Sequence, residues 1–411
     1  MNKFKVKTKH NSCRACNSKN NNLHHFFHVT DLPMPEGHIS EEENEYVHDI
    51  DIFWCEKCGM VQTQLDLDLD KYYENYIYTT GESNYVEEYM QNFAKTLCDK
   101  YKFSKGSVIV EAGSGDGVQL RKFKELGCSV IGVEPSYKLS LKAEKIGIPT
   151  IVDFFETDVA NQIKNKYESV DAVIIQYTFD HLQKPSEFVA DVYNLLGNNG
   201  ILVIEVHDFE KIYERNEACL FTHEHSIYPT FSSISNLLDI HNMKIIDTNV
   251  VVERERRGNS IVIVAAKKIH TGLEVDEPDS IILQKLKEHA SYNLFSKNVY
   301  KAHEKLHSYA LEKKRNKIKI AGYGAAGRGV DTTVLAKLNN NMLDCVYDMN
   351  KGFHGKKMPV SHLEVKNPNE LFSDNPEELI VFSYGYIDEI RELYKDHPVR
   401  VISMLDIMNS L

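Results

Sequence analysis

From residue 107 onward the hydrophobic positions fall into short unbroken runs separated by helix-length segments. Ser107-Val108-Ile109-Val110-Glu111, Cys128-Ser129-Val130-Ile131-Gly132-Val133-Glu134, Ala172-Val173-Ile174-Ile175-Gln176 and Gly200-Ile201-Leu202-Val203-Ile204-Glu205-Val206 are the first four. Runs without polar alternation are what strands buried on both faces require, and the segments between them, such as 118–126, supply the covering helices. Two later strands, 244–251 and 260–266, close this region near residue 270. Upstream, Tyr85, Met90, Phe93 and Leu97 share one face of an amphipathic helix over 84–104. Downstream, 278–313 is charged and holds no Gly or Pro after Pro278, which reads as a helical connector. Lys317-Ile318-Lys319-Ile320-Ala321 then opens a second strand–glycine turn–helix unit, with further strands at 343–347, 379–383 and 399–403. The expected class is α/β, divided as 1–80, 81–270, a connector over 271–315, and 316–411.

Composition bounds this picture without changing it. The 411 residues suffice for several domains, and 42% hydrophobic with 26% charged residues excludes wholesale disorder. The net charge of -12 argues against general nucleic-acid binding, which rests on phosphate neutralisation. No apolar run approaches the ~18 residues of a membrane span. Met1-Asn2-Lys3-Phe4-Lys5 is basic without an apolar stretch behind it, so no signal peptide is readable and the cytoplasm is the expected compartment. No obligatory protein partner is readable.

The 8 cysteines divide into scattered ones in apolar surroundings and two CxxC pairs, Cys13/Cys16 and Cys55/Cys58. Each CxxC turns two thiolates to one side, and two such knuckles supply the four sulfurs of a structural zinc site with no open coordination position. The segment between the pairs is longer than usual and must fold as its own hairpin-rich insert. Gly59 suits the tight turn of a knuckle.

Glu111-Ala112-Gly113-Ser114-Gly115-Asp116-Gly117 follows a strand and precedes a helix, so the backbone passes close under a ligand where the sheet opens. Glu134 ends the next strand, where a carboxylate accepts ribose hydroxyls. This arrangement resembles the class I S-adenosylmethionine-dependent methyltransferases. The resemblance implies that Glu111 and Gly113, Ser114, Gly115, Asp116 and Gly117 hold the amino-acid part of the cofactor. It gives the ribose to Glu134, the adenine face to Asp153, Phe154 and Phe155, and a further cofactor contact to Gln176. A nicotinamide loop is the competing reading, but Gly113-x-Gly115-x-Gly117 lacks the dinucleotide spacing.

Beyond the third strand lies Thr178-Phe179-Asp180-His181-Leu182, where the carboxyl end of a strand faces the ligand crevice and aims His181 at the methyl donor. After the fourth comes Phe221-Thr222-His223-Glu224-His225-Ser226-Ile227-Tyr228, whose His and Glu side chains are candidate general bases. Solvated loop histidines are the bland alternative. The i, i+2 spacing of His223 and His225 without nearby ligands does not favour a metal.

Taken together, both CxxC pairs, the aromatic stretch Tyr76-Ile77-Tyr78, the first glycine loop, Phe179-Asp180-His181, Glu224-His225 and Gly322-Tyr323-Gly324-Ala325-Ala326 resemble the three-domain sugar C-methyltransferases acting on nucleotide-linked keto-deoxysugars. That resemblance implies a small zinc-binding N-terminal domain, a central class I methyltransferase Rossmann-like domain and a smaller C-terminal Rossmann-like domain. It implies a base that removes the proton beside a sugar ketone, so that the enolate attacks the methyl group. His225 takes the base role with Glu224 orienting it, and His181 and Tyr76 stabilise the enolate oxygen. Tyr78 joins the substrate contacts. In this chain Thr222 stands where the family's Tyr-x-Glu-His has its tyrosine. Either His225 serves alone, or the substrate differs, or oxygen is the acceptor.

The second loop, Gly322-Tyr323-Gly324-Ala325-Ala326-Gly327-Arg328-Gly329, fits a dinucleotide fingerprint on spacing alone, with Asp348 ending the following strand. The resemblance instead sets Gly324, Ala325, Ala326 and Arg328 against the nucleotide part of the substrate, where backbone N–H groups and a helix N-terminus attract a pyrophosphate. The expected activity is methylation of a carbon of a nucleotide-linked 4-keto-6-deoxysugar. The alternatives are an O-methyltransferase on a sugar or other small acceptor, an NAD-dependent sugar-modifying enzyme, and a zinc-knuckle interaction protein.

Overall fold

The computed structural model describes residues 2–3, 5–34, 37–40, 45–74, 84–251 and 259–410. Three sheets organise the chain. The central one has seven strands in the order β13-β14-β11-β10-β7-β8-β9. These are β7 (Val108–Ala112), β8 (Ser129–Val133), β9 (Thr150–Ile151), β10 (Val170–Gln176), β11 (Leu196–His207), β13 (Met243–Asp247) and β14 (Ser260–Lys267). Neighbours from β9 through β11 run parallel, while β14 is antiparallel to both β11 and β13.

The period of two explains why these runs are apolar throughout. Val110, Ala112, Val173 and Ile175 enter one core with Phe179 and Phe188. Ile109, Ala172 and Ile174 enter the other, under Val86, Phe93 and Leu97 of helix Asn84–Tyr101. The expected strand at 244–251 is shorter than its apolar pattern, because the ladder with β14 shifts register between Ile245 and Asp247.

The N-terminal sheet holds β1 (Asn2–Lys3), β3 (Leu23–Pro33), β4 (Tyr46–Cys55) and β5 (Val61–Thr63). β3 and β4 pair antiparallel between the two CxxC motifs, the hairpin the long spacer calls for. Its last strand, β12 (Ile227–Tyr228), comes from far along the chain and pairs antiparallel with β5. A small ladder of β2 (Val6–Lys9) with β6 (Leu65–Leu67) completes this region.

The C-terminal sheet is parallel, in the order β17-β16-β15-β18-β19. Its strands are β15 (Ile320–Tyr323), β16 (Val346–Tyr347), β17 (Val365–Lys366), β18 (Glu378–Val381) and β19 (Arg400–Ser403).

The expected connector is a structural spine. Helix His289–Arg315 buries Tyr292, Phe295 and Val299 in an aromatic core with Phe26, Trp54, Phe209 and Phe221, then Ala302, Leu306 and Ala310 in the C-terminal core. Two cores on one helix fix both neighbours to it. Among the described residues no helix is long and apolar enough to cross a membrane.

Candidate active site

Strand order in the central sheet reverses between β7 and β10, so their carboxyl ends open a crevice. β7 turns into helix Val118–Glu125 through the first glycine loop. Gly113, Gly115 and Gly117 have φ of +71°, +53° and +78°. A Cβ at Gly113 would lie 2.5 Å from Thr178 Oγ1 and one at Gly117 3.0 Å from Ala143 Cβ, whereas at Gly115 it would meet nothing within 4 Å. Packing therefore demands the outer two glycines, and Gly115 leaves its space to a ligand.

Glu134 secures this loop: its Oε2 accepts the Gly115 N–H at 2.9 Å and its Oε1 the Ser136 N–H at 2.8 Å. Burial raises its pKa against those two bonds. Glu111 is enclosed with Oε2 unpartnered, and burial, then Asp116 and Glu134, lift its pKa well above the carboxylate range. Ser114 Oγ is buried without a partner. Converging acidic groups favour a ligand with positive charge, and S-adenosylmethionine brings both a sulfonium and an ammonium.

The remaining cofactor candidates divide. Gln176 donates Nε2–H to Glu205 Oε2 at 2.6 Å, while its buried Oε1 has no partner. Asp153 and Phe154 lie exposed, Phe154 with its ring 6.2 Å from that of Tyr73. Phe155 differs from expectation: it packs at 5.1 Å against Phe188 at the core, because Phe188 on helix Pro185–Leu195 offers an apolar wall.

Across the crevice, a carboxylate gathers three imidazoles. Asp180 is 1% exposed, and its Oδ2 accepts the Nδ1–H of His207 at 2.7 Å. The same oxygen lies 3.6 Å from His225 Nε2, and Oδ1 lies 3.8 Å from His181 Nε2. The His225 ring is 4.9 Å from that of His181 and 5.3 Å from that of His207. Burial raises the Asp180 pKa, yet His225, His207 and His181 outweigh it and hold the group below its ordinary value. Burial pushes His207 down and His181 to about 4.

His225 Nδ1 lies 2.9 Å from the Leu220 carbonyl, which can only accept, so Nδ1 carries the hydrogen and, in the neutral ring, Nε2 the lone pair. This corrects the role expected of Glu224. Glu224 bonds the Tyr72 hydroxyl instead, and the Leu220 carbonyl orients the imidazole. Tyr73 Oη reaches His181 Nδ1 at 3.1 Å. Tyr76 and Tyr78 lie outside the described residues. His223 turns away, its Nε2 lying 2.8 Å from the Leu32 carbonyl and 3.1 Å from that of His48. Thr222 Oγ1 is buried without a partner.

Sequence reasoning passed over His207, Tyr72 and Tyr73, and gave Asp180 no role. The rule that selected His181 could have found His207, which ends β11 at the same sheet edge.

At the N-terminal knuckles the sulfurs of Cys13, Cys16, Cys55 and Cys58 lie within 4.8 Å of one another. Each knuckle closes alike, Asn17 N–H onto the Cys13 carbonyl at 2.9 Å and Gly59 N–H onto that of Cys55 at 2.8 Å. Both turn residues have positive φ, 56° and 76°. Gln62 Nε2–H donates to Cys13 Sγ at 3.1 Å, and Ser18 Oγ lies 2.9 Å from Cys16 Sγ. Four converging thiolates with donors on their outer side fit a tetrahedral zinc ion.

In the C-terminal loop, a Cβ at Gly324 would lie 2.1 Å from Ser383 Oγ and one at Gly329 1.9 Å from the Gly324 carbonyl oxygen. Packing alone accounts for these glycines. Ala325 donates its N–H to Asp348 Oδ2 at 2.7 Å. Ala326 caps helix Gly327–Leu335. Arg328 differs from the expected phosphate contact: its Nε donates to buried Glu217 at 3.2 Å, under the ring of Tyr384. The carboxylate claims the guanidinium because Glu217 is sealed from water.

Comparison with known proteins adds to this geometry. Residues 84–248 match a methyltransferase domain family, and residues 255–399 match the family described as C-methyltransferase C-terminal domain. The C-methyltransferase NovU of Streptomyces niveus is 22% identical over 375 residues, covering 89% of this chain and 88% of that protein. An uncharacterized methyltransferase of Alkaliphilus oremlandii (strain OhILAs) is 28% identical over 144 residues, 34% of this chain and 63% of that one. Among solved structures, magnesium protoporphyrin IX methyltransferase from Synechocystis PCC 6803 aligns with a TM-score of 0.33 at 14% identity, over 48% of this chain and 87% of that one.

Proposed function

We infer that this S-adenosylmethionine-dependent methyltransferase, related to the C-methyltransferases, alkylates a carbon beside the ketone of a nucleotide-linked 4-keto-6-deoxysugar. The observation that carries the reading is the ring of imidazoles on Asp180, set at the carboxyl ends of β10 and β11 beside the glycine loop. A C–H bond beside a ketone needs a positioned base and a donor to the developing oxyanion, and this ring offers both.

His225 Nε2 takes the proton. His181, whose Nδ1 is engaged by Tyr73, presents Nε2 on the same side and stabilises the enolate oxygen together with Tyr76. S-adenosylmethionine, when bound, supplies an electrophilic methyl group. Glu111, Ser114 and Asp116 hold its amino-acid part, Gly115 gives it room, and Glu134 accepts from its ribose. Asp153 and Phe154 border its adenine. The C-terminal loop around Gly324, Ala325 and Ala326 faces the nucleotide, and Tyr78 is a further substrate residue. Cys13, Cys16, Cys55 and Cys58 hold zinc as a staple for a region too small to close its own core.

Methylation of oxygen is the second reading, favoured by Thr222, whose buried hydroxyl cannot replace a phenol as acid or base. The deciding experiment incubates the protein with methyl-labelled S-adenosylmethionine and a panel of nucleotide-linked 4-keto-6-deoxysugars, with NMR on the product. A carbon-bound methyl supports the reading, and an ether methyl overturns it.

A further inference from the structure

The proposed proton removal raises a question of charge, and the following rests on that reading. With every histidine of the cluster neutral, Asp180 is a lone negative charge in the protein interior, and isolated buried charges are costly. Its Oδ2 is held by the His207 Nδ1–H at 2.7 Å, whereas its Oδ1 is buried with no hydrogen-bond partner. The gap of 3.6 Å between Oδ2 and His225 Nε2 is too long for a hydrogen bond, and neutral Nε2 has no hydrogen to offer. A proton arriving at Nε2 supplies both the missing donor and the missing positive charge.

We propose that Asp180, clamped by His207, is the positioning residue that holds the abstracted proton on His225 as its counter-charge. In that step the substrate C–H bond breaks, its electron pair passes into the enolate, and the proton bonds His225 Nε2. The carbon–methyl bond then forms as the sulfur–methyl bond breaks, sulfur keeping the pair. The imidazolium paired with Asp180 afterwards returns its proton to water.

Other groups act on the pair from each side. His181 lies on the segment following β10, and Tyr228 and Glu224 flank His225. Arg328 of the C-terminal domain is felt at His207 and opposes a second protonation there. A second positive charge in the cluster is opposed from both sides, and its titration steps belong to the group as a whole.

The test needs no acceptor. Full-length protein carrying [13Cε1]-histidine, with S-adenosylhomocysteine bound, is titrated by NMR as wild type and as Asp180→Asn, His207→Asn and His207→Leu. The cluster resonances are assigned by single His→Gln substitutions. Asn at 180 still accepts from His207 through its one oxygen, loses the charge and puts an N–H2 donor in place of the other oxygen, so the first protonation of the cluster becomes about tenfold or more less favourable. His207→Asn keeps a donor at the Nδ1 position and preserves wild-type behaviour, whereas His207→Leu leaves the Asp180 charge without its donor and makes the first protonation more favourable, the opposite of Asp180→Asn. An unchanged first protonation in Asp180→Asn, in protein with wild-type unfolding temperature and ligand affinity, overturns the proposal. So does a His207→Asn that behaves as His207→Leu.

Deuterium wash-in from solvent at the acceptor carbon is the separate readout for the carbon reading. A turnover product methylated on oxygen without wash-in overturns carbon methylation and leaves the titration result to stand on its own.

Discussion

Gly113 and Gly115 sit two residues apart in one loop, both with positive φ, and the structure gives them different duties. Alanine at Gly113 takes a left-handed backbone, which costs about 1–2 kcal/mol for a residue with a Cβ. It also drives that Cβ to 2.5 Å from Thr178 Oγ1 and 2.8 Å from Thr178 Cγ2, closer than real contacts allow. Overpacking of this kind costs a further ~1–3 kcal/mol. At Gly115 the backbone term stands alone, since nothing lies within 4 Å. Gly113→Ala should therefore lose about 2–5 kcal/mol of stability and Gly115→Ala about 1–2 kcal/mol.

Cofactor binding should suffer at both positions, at Gly115 because the added methyl occupies the ligand's space. Unfolding in urea followed by far-UV circular dichroism measures the first effect, and calorimetric titration with S-adenosylhomocysteine the second. Tryptophan fluorescence is the wrong probe, because the one Trp, Trp54, reports the N-terminal sheet. Adding Thr178→Ala removes the two nearest atoms and leaves Thr178 Cβ at 3.1 Å, so the double variant should recover part of the loss. Wild-type stability in Gly113→Ala, or no recovery in the double variant, would refute the steric argument.

Three other outcomes follow from the same geometry. His225→Gln should abolish methyl transfer while S-adenosylhomocysteine affinity stays within about threefold, and a wild-type rate would remove His225 from the reaction. The purified chain should carry one zinc by elemental analysis, and Cys55→Ser should release it and change Trp54 emission, since Trp54 adjoins Cys55 on β4 and stacks at 4.8 Å on Tyr292. His181, His223 and His303 are each pushed to about 4 by burial, so unfolding takes up protons as pH falls from ~6.5, the unfolded value, towards 4. Their neutral forms contribute fully above pH ~6.5, and stability should fall by up to about 4 kcal/mol per pH unit below it. A flat dependence of urea midpoint on pH between 6.5 and 4 would contradict that burial.

Much of the crevice at the first glycine loop was legible in the chain as backbone geometry, because its parts are local. The alternation of apolar runs with helices specifies a parallel sheet, and the glycines follow a strand that positions them. Glu134 is found by counting one strand further along. The CxxC pairs are legible for the same reason, each knuckle closing within five residues, as the Cys13–Asn17 and Cys55–Gly59 bonds show. Three assignments went elsewhere. Phe155 met an apolar wall, Arg328 met a buried carboxylate, and Glu224 met Tyr72. In each case the partner lies far away in sequence or on another element, and no spacing rule reveals it.

What the sequence determined by itself is therefore the set of units: strands, glycine turns, knuckles and the chemistry each can carry. Those depend on backbone sterics and nearest neighbours. The tertiary structure alone decided which units share a site. β12 leaves the segment after β11 to pair with β5 of the N-terminal sheet, and beside that pairing the Ser226 N–H bonds the Asp180 carbonyl at 2.7 Å, which brings His225 up to Asp180. His207, at the end of β11, and Asp180, in the turn after β10, then close on His225 and become a single charged cluster. Charge and burial act through space over a few ångströms, whereas sequence order records only distance along the chain, so the cluster existed only once the sheets had docked.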